Sequence, residues 1–183
     1  MFGHNKIITE KDYVTSNKKE LTVTSIFFTI QGEGPCAGMP AIFVRLTGCN
    51  LKCSFCDTFF DSGNTLSFQE ILEKMKVTVT NFYNSNNIKI PSNVANKLLV
   101  VITGGEPTIQ PNLTEFLEFL HANGYRTQIE SNGIAFRKIP DETLLVISPK
   151  ANETTGKFLR VNDKMLQRAN ALRFVISATK VGY

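Results

Sequence analysis

The run "KLLVVITGG", residues 97–105, is the sequence feature that most constrains the fold. Residues 98–102 are all apolar, and a threonine and two glycines follow them. A strand with apolar side chains on both of its alternating faces has to be covered on both sides, which is typical of parallel sheets. The run therefore predicts a buried strand in an α/β fold.

Other apolar runs along the chain predict further strands. They are "LTVTSIFFTIQ" (21–31), "AIFVRLTG" (41–48), "RTQIESNG" (126–133), "LLVISPK" (144–150) and "ALRFVIS" (171–177). The first two are joined by "GEGPCAGMP", whose glycines and prolines are typical of a loop.

Two of the separating segments predict helices. The segment "SFQEILEKMK" carries a capping box, Ser67 with Glu70, ahead of apolar residues at helical spacing. A second helix is predicted over residues 113–120, where leucine and phenylalanine recur at helical spacing and a glycine follows. The asparagine-rich residues 81–96 predict a long loop.

Strands that alternate with helices imply right-handed β/α units around a parallel sheet. We expect about five to six parallel core strands, which are too few for a complete eight-stranded barrel. The length of 183 residues suits one domain, residues 1–183, whose core needs no disulfides. Polar residues and glycines collect at the carboxyl ends of the strands, where folds of this kind place their sites.

The composition limits the partner and the compartment. The net charge is +4, from 20 basic and 16 acidic side chains without a long basic run, so we expect no direct binding to nucleic acid. The amino-terminal residues lack an apolar signal core, and no segment approaches the roughly 20 apolar residues that span a bilayer. We therefore expect a soluble, cytoplasmic protein with no membrane partner.

Three of the four cysteines, Cys49, Cys53 and Cys56, lie within the stretch "TGCNLKCSFCDT". In the cytosol such a cluster favours metal or redox chemistry over disulfides. A structural zinc site normally has four protein ligands, and Cys36 is the cysteine left to supply a fourth. A 4Fe-4S cluster on three thiolates leaves one iron open to a non-protein ligand. The spacing favours the iron–sulfur cluster and leaves zinc and redox roles as alternatives.

The spacing CxxxCxxC after a strand resembles the signature of radical S-adenosylmethionine (radical SAM) enzymes. The segment "TGGEP" resembles the glycine-rich strand end of that superfamily, where Gly104 and Gly105 let backbone approach the methionine moiety. Phe55 matches the position whose backbone meets the adenine. The resemblance implies that the open iron binds S-adenosyl-L-methionine, whose cleavage yields a radical that removes hydrogen from the substrate.

Over most of residues 22–150 the chain resembles one subgroup, the 7-carboxy-7-deazaguanine synthases. The match runs through "FTIQGEGPCAGMPAIFVRLTGCNLKCSFCDT", "TGGEP", "ESNG" and "VISPK". It implies a partial, modified β/α barrel and a lyase of queuosine-type deazapurine biosynthesis. That lyase converts 6-carboxy-5,6,7,8-tetrahydropterin to 7-carboxy-7-deazaguanine with loss of ammonia. The resemblance also implies Mg²⁺, an electron donor such as a flavodoxin or ferredoxin, and a homodimer.

The same resemblance assigns roles to individual residues. It assigns the cluster to Cys49, Cys53 and Cys56; the nucleoside cofactor to Phe55, Asp57, Gly104, Gly105, Ser131, Ser148, Pro149 and Lys150; the pterin to Ile30, Gln31, Gly32, Glu33, Arg45 and Thr103; and magnesium to Thr58. The guanidinium of Arg45 suits the substrate carboxylate, while Gln31 and Glu33 suit the amide and amine edge of the pterin. Glu130 is a weaker candidate of the same kind.

Two features depart from the subgroup. Cys36 matches none of its cluster ligands and is expected to be a small loop residue. The subgroup continues past the strand that matches "ALRFVIS", whereas this sequence ends at Tyr183. We therefore expect a second subunit, or residues 1–20, to cover the exposed sheet edge. The alternative functions are a glycyl-radical enzyme activase and a degenerate, non-enzymatic metal-binding relative.

Overall fold

Seven strands form one sheet in the computed structural model, which describes residues 6–13, 19–89 and 98–176. The strands are β1 (Glu20–Ile30), β2 (Pro40–Leu46), β3 (Asn64–Ser67), β4 (Leu99–Gly104), β5 (Arg126–Ser131), β6 (Leu144–Ile147) and β7 (Ala171–Leu172). The helices within these ranges are α1 (Phe68–Ser85), α2 (Leu113–Ala122) and α3 (Asp163–Arg168).

The strand order in the sheet is β3-β1-β2-β4-β5-β6-β7. Neighbouring strands from β2 through β7 are parallel, which confirms the predicted α/β fold with about five parallel core strands. Within the described residues the sheet is open, because β3 and β7 each have one neighbour only. The parallel strands end on the same side, so the residues that follow them meet there.

The first strand departs from the expected parallel arrangement. β1 pairs antiparallel with β2, with Phe27 opposite Phe43, and β3 pairs antiparallel with the other side of β1. The connection between β1 and β2, residues 31–39, is shorter than the dozen or so residues that a parallel crossover requires. The predicted loop is therefore confirmed, but it reverses the chain instead of starting a β/α unit.

The strand β4 is buried on both faces, as its apolar sequence predicts. Val100 and Ile102 belong to the larger core, to which α1, α2 and α3 all contribute buried side chains. Leu99 and Val101 belong to a smaller cluster on the other face, which includes the buried Cys36 of the connection between β1 and β2. Cys36 is thus a small packing residue, and the connection covers the sheet face opposite the larger core.

The capping box at the start of α1 is confirmed. The Ser67 hydroxyl oxygen accepts from the Glu70 backbone N–H at 3.3 Å, and the Glu70 carboxylate accepts from the Ser67 N–H at 2.8 Å. The helix continues to Ser85, so the predicted loop over residues 81–96 is wrong for residues 81–85. The ring of Phe82 packs against Phe28 with centroids 4.8 Å apart, and this tertiary contact outweighs the weak helix propensity of asparagine. Residues 90–96 lie outside the described residues.

The predicted strand "ALRFVIS" is confirmed only at its start. Ala171 and Leu172 pair with β6, and the Arg173 N–H donates to the Ile147 carbonyl at 2.8 Å. Residues 174–176 are not assigned to the strand, and residue 177 lies outside the described residues. The sequence interpretation missed two short elements, β3 and α3, because four to six residues carry too little periodicity to predict an element.

The described part of the amino-terminal segment, residues 6–13, lies against the loop that follows β2. Ile7 forms a parallel bridge with Cys49, and the Ile8 N–H donates to the Cys49 carbonyl at 2.9 Å. The Tyr13 hydroxyl donates to the Thr47 carbonyl. These residues cover the cysteine loop and not the β7 edge, for which residues 1–20 were one of two expected covers. Residues 1–5 and 14–18 are outside the described residues.

Among the described residues, no helix has the length and the apolar character that crossing a membrane requires.

Replacement of Met75 by alanine should lower the free energy of unfolding by about 2–5 kcal/mol, because truncation of a buried side chain leaves a cavity. Met75 on α1 is 0% exposed. Val77 lies two residues further along the same helix and is 56% exposed, so Val77→Ala is the matched control and should change stability little. Denaturant unfolding of both variants measures the difference, and equal losses would contradict this packing of α1.

Candidate active site

A cavity of about 600 Å³ opens where the parallel strands end. It is lined by the predicted site residues Gln31, Gly32, Glu33, Arg45, Cys49, Cys53, Phe55, Cys56, Asp57, Thr58, Thr103, Gly104, Gly105, Ser131, Ser148 and Lys150. Two predicted residues are not part of this lining: the side chain of Ile30 is 64% exposed on β1, and Pro149 is buried. The cavity thus gathers residues from the ends of four parallel strands and from the connection between β1 and β2, which are far apart in the sequence.

The cysteine loop, residues 47–60, begins where β2 ends. Gly48 has a φ of +81°, and its N–H donates to the Phe60 carbonyl at 2.9 Å, which closes the loop at its base. Inside the loop, the Cys56 N–H donates to the Cys53 carbonyl at 3.2 Å, and the Leu51 N–H approaches the Cys49 sulfur at 3.4 Å. The backbone therefore turns all three cysteines toward one cavity.

The three thiols differ in their surroundings. The pKa of Cys49 is raised to about 12, mainly by burial and to a smaller extent by the neighbouring Glu106, Cys53 and Cys56, while the Leu51 N–H lowers it. Burial also raises the pKa of Cys53, with Lys150 acting in the opposite direction. A metal that binds here has to displace thiol protons, so binding is coupled to pH.

The cysteine loop fits an iron–sulfur cluster better than a closed zinc site. All four cysteines within the described ranges are free thiols, and three of them line the cavity. Cys36, the remaining thiol, is packed in the smaller apolar cluster on the sheet face opposite the larger core. No group of three or more His, Cys, Asp or Glu side chains in the described ranges is arranged to coordinate a metal ion directly. Three thiols without a fourth are the donor set of a cluster with one open iron.

The end of β4 lies directly against the backbone of the cysteine loop. The Gly105 N–H donates to the Leu46 carbonyl at 3.1 Å, and the Glu106 N–H donates to the Gly48 carbonyl at 2.8 Å. A Cβ atom at Gly104 would collide with the Leu46 backbone, and one at Gly105 with the Gly48 carbonyl. Gly104 also has a φ of +127°, which side chains disfavour. The two glycines therefore allow the backbone at Leu46 and Gly48 to pack against the end of β4, in addition to any ligand that binds there.

Glu106 is a buried carboxylate that the sequence interpretation did not assign. It is 1% exposed, and its Oε1 accepts from the Thr108 N–H at 3.0 Å, the Thr108 hydroxyl at 2.6 Å and the Ser131 hydroxyl at 2.7 Å. Its Oε2 accepts from the Asn132 N–H at 2.7 Å. Glu106 thus joins the end of β4 to the end of β5. Its place inside "TGGEP" is the signal by which it could have been found.

Arg45, at the end of β2, has a buried Nε atom with no hydrogen-bond partner in the described part of the chain. Its guanidinium lies over the Phe27 ring, 5.1 Å from the centroid, and the Phe27 ring stacks on Phe43 at 5.2 Å. The aromatic contact holds the cation in place without neutralising it. A buried donor without a partner marks a position where an anionic ligand would be stabilised.

A second group of charges also lines the cavity. Gln31 donates to Glu130 Oε1 at 2.9 Å, and Arg173 forms an ion pair with Glu33 and approaches Glu130 Oε2 at 3.5 Å. Arg173 was not among the predicted site residues, because it lies in an apolar run that predicts only a strand. Its contribution to the cavity depends on the fold and has no local sequence signal.

Two pairs of neighbouring residues complete the cavity wall. The Lys150 ammonium donates to the Ser148 hydroxyl at 2.6 Å; burial lowers the pKa of Lys150, and the nearby Arg173 lowers it further. The Thr58 hydroxyl donates to the Asp57 carboxylate at 3.0 Å, which leaves its oxygen lone pairs as acceptors. The cavity wall therefore offers an ammonium group, a carboxylate and hydroxyl oxygens beside the cysteine loop.

Comparison with known proteins gives the cavity a family context. Residues 43–150 match the Radical SAM superfamily. Over 183 residues the chain is 39% identical to the 7-carboxy-7-deazaguanine synthase of Rickettsia prowazekii, a match that covers 100% of this chain and 72% of that protein. It is 33% identical over 180 residues to the protein of the same name from Rhodospirillum rubrum, covering 97% of this chain and 66% of that protein.

A solved structure is similar in fold. The crystal structure of QueE from Escherichia coli superposes with a TM-score of 0.65 at 28% sequence identity, covering 85% of this chain and 71% of that chain. Other curated relatives match over a shorter segment: the chain is 37% identical over 142 residues to the 7-carboxy-7-deazaguanine synthase of Neisseria meningitidis serogroup B, covering 78% of this chain and 58% of that protein. Residues 43–150, which match the superfamily, contain the cysteine loop and the ends of β2, β4, β5 and β6 that line the cavity.

Replacement of Glu106 by glutamine should lower the free energy of unfolding by about 1–3 kcal/mol, because an amide group exchanges one acceptor oxygen for a donor and leaves a buried N–H or hydroxyl unpaired. Glu118→Gln on the exposed side of α2 is the matched control and should be close to neutral. Denaturant unfolding measures both variants. A stability loss at Glu106 no larger than at Glu118 would contradict the bridging role.

Proposed function

Because the chain belongs to the radical SAM superfamily, and within it to the family of 7-carboxy-7-deazaguanine synthases, we propose that it is a ring-contracting lyase. Its substrate is 6-carboxy-5,6,7,8-tetrahydropterin, and its products are 7-carboxy-7-deazaguanine and ammonia. The observation that carries this proposal is one cavity that brings together three thiols, an arginine whose buried Nε has no partner among the described residues, and a wall of carboxylate and amide groups. Its volume of about 600 Å³ lies in the range of small-molecule sites.

The cysteine loop supplies the cofactor half of the cavity. Cys49, Cys53 and Cys56 would hold a 4Fe-4S cluster whose open iron faces the amino and carboxylate groups of S-adenosyl-L-methionine. When bound, the cluster supplies the electron that cleaves this cofactor reductively. The glycine pair at the end of β4 leaves backbone groups as the cavity wall beside the loop. Ser148 and Lys150 approach from the end of β6, where a cation and a hydroxyl suit the polar groups of the nucleoside.

Arg45 supplies the anion-binding group for the substrate. Its unpaired Nε and its stacking on Phe27 support this role, because the guanidinium is already oriented and partly desolvated. A planar guanidinium matches a carboxylate with two parallel hydrogen bonds. Contact between this pair would fix one end of the pterin and set the distance of its reacting carbon from the cofactor.

The connection between β1 and β2 supplies groups for the other end of the pterin. Gln31 is buried, donates to Glu130 and accepts from the Glu33 N–H at 3.1 Å through its own oxygen. These bonds fix the side chain of Gln31 and the backbone of Glu33 together. Carboxylates are acceptors only, so Glu33 suits the N–H donors at the amine and amide edge of the pterin.

Thr58 would contribute one oxygen to a magnesium ion that also contacts the substrate. Its hydroxyl proton points to Asp57, which turns lone pairs away from that carboxylate. Magnesium usually keeps several waters and takes few protein ligands, so a single hydroxyl is compatible with such a site.

Two partners complete the proposal. An electron donor of the flavodoxin or ferredoxin type has to approach the cysteine loop, and the exposed Lys52 within that loop would suit an acidic partner. A homodimer is supported by exposed apolar side chains near the β7 edge, including Phe158 and Phe174, whose rings meet at 5.5 Å. Exposed apolar groups of this kind favour burial against another surface.

Anaerobic reconstitution followed by mass analysis of the products tests the reaction. Cys49→Ala, Cys53→Ala and Cys56→Ala should each lose cluster iron and cofactor cleavage, since a site-differentiated cluster needs all three thiolates. Cys36→Ala should retain its iron content, because that thiol is packed under the sheet. Stoichiometric zinc in place of iron, or cofactor cleavage without conversion of the carboxypterin, would contradict the proposal.

Arg45→Ala should raise the dissociation constant of the carboxypterin by the equivalent of about 2–5 kcal/mol, because a desolvated charge pair loses one partner. Arg160→Ala is the matched control, since that arginine pairs with Asp163 on the surface with 84% of its side chain exposed. Anaerobic equilibrium binding in the presence of the nucleoside cofactor measures the constants. Unchanged affinity in Arg45→Ala would refute its assignment to the carboxylate.

A further inference from the structure

Arg173 joins two carboxylates that face the same cavity. One of its terminal nitrogens, Nη1, pairs with Glu33 Oε2 and lies 3.5 Å from Glu130 Oε2. Glu33 belongs to the connection after β1, Glu130 to β5, and Arg173 follows β7, so the three side chains come from three separate parts of the chain. All three line the cavity.

The position of Arg173 is fixed by the sheet. Its backbone N–H donates to the Ile147 carbonyl at 2.8 Å, which continues the pairing of β7 with β6. Its side chain is 32% exposed, against 12% for Glu130 and 55% for Glu33. The guanidinium therefore lies between a more buried and a more exposed carboxylate, anchored by a backbone that cannot shift freely.

The two carboxylates have different numbers of partners. Glu130 accepts from Gln31 at 2.9 Å and lies within 3.5 Å of donors on Gln128 and Thr103, so its oxygens are occupied by protein groups. The Glu33 side chain has Arg173 as its donor, bound at Oε2, among the residues that the structure describes. Its Oε1 therefore remains an acceptor for a donor that enters the cavity.

The two arginines of the cavity differ in whether their guanidinium groups are paired with carboxylates. Arg45 keeps a buried donor without a partner, whereas Arg173 is bound by two carboxylates. An anionic ligand is therefore drawn to Arg45. Two carboxylates that face one cavity repel each other, and a guanidinium between them offsets that repulsion and fixes their direction.

We propose that Arg173 is a positioning residue that orients Glu33 for recognition of the amine edge of the substrate, and so determines specificity for that edge. This inference rests on the proposed function. Arg173 acts through Glu33 and Glu130, while Arg45 reads the carboxylate at the opposite end of the pterin. Recognition of the two ends of the substrate is thereby divided between two arginines with different partners.

The test compares three ligands on the reconstituted protein with the nucleoside cofactor present under anaerobic conditions. They are 6-carboxy-5,6,7,8-tetrahydropterin, its analogue with hydrogen in place of the 2-amino group, and its analogue with a hydroxymethyl group in place of the carboxylate. The unmodified protein should bind both analogues more weakly by about tenfold or more, because each lacks a group that hydrogen-bonds to a charged side chain.

Arg173→Gln should weaken binding of the complete substrate by about 10- to 100-fold and should reduce discrimination against the 2-deamino analogue to about twofold. It should keep its discrimination against the hydroxymethyl analogue, whereas Arg45→Gln should show the reverse pattern. Arg173→Lys should be intermediate, since its ammonium group keeps the positive charge but lacks the rigid planar guanidinium that holds Nη1 beside both carboxylates. In turnover, KM should rise by a larger factor than kcat falls.

Two controls keep the outcomes distinct. Glu33→Gln should lose the same discrimination, and addition of Arg173→Gln to that variant should have little further effect, because both act on one contact. Retained discrimination against the 2-deamino analogue in Arg173→Gln and Arg173→Lys would overturn the role of Arg173, as would loss of discrimination against the hydroxymethyl analogue instead. Failure of the unmodified protein to bind or convert the carboxypterin would overturn the proposed function itself.

Discussion

The contact between the end of β4 and the cysteine loop is the constraint on which the site depends. Two hydrogen bonds, from Gly105 to Leu46 and from Glu106 to Gly48, place the backbone of one strand end against the loop that follows another. Since a Cβ atom at either glycine would collide with that backbone, the contact tolerates no side chain. The thiols, the carboxylate bridge of Glu106 and the cavity wall all take their positions from it.

Charge is distributed in the cavity so that different ligand groups meet different partners. Arg45 is stacked but unpaired, Arg173 is shared between two carboxylates, and Lys150 is partly buried with its pKa lowered. A site with every cation unpaired would bind anions without regard to their position. Here the neutralised cation and the unpaired one lie in different parts of the wall, which suits a ligand with an anionic group at one end and N–H donors at the other.

Most of the strands and both longer helices could be predicted from the sequence, because apolar runs and the Ser67 capping box are local signals. The antiparallel direction of β1 was missed although the short connection to β2 carried the signal, whereas its pairing with β3 depends on a strand too short to predict. The cysteine loop and the glycine pair of the site were also visible in the sequence. Glu106 was missed although its place inside "TGGEP" marked it, whereas Arg173 was missed because an ion pair between distant segments arises only when the strands are brought together.

The short connection between β1 and β2 has two tasks within residues 31–39. Cys36 belongs to the smaller apolar cluster with Leu99 and Val101. Gln31 and Glu33, only a few residues away in the sequence, line the cavity. A change of core volume at Cys36 would therefore tilt the segment that recognises the ligand, without touching the ligand itself. During evolution, substitutions in the apolar cluster can therefore change which ligands the site selects. For the same reason, the need to bind the ligand restricts which substitutions the cluster tolerates.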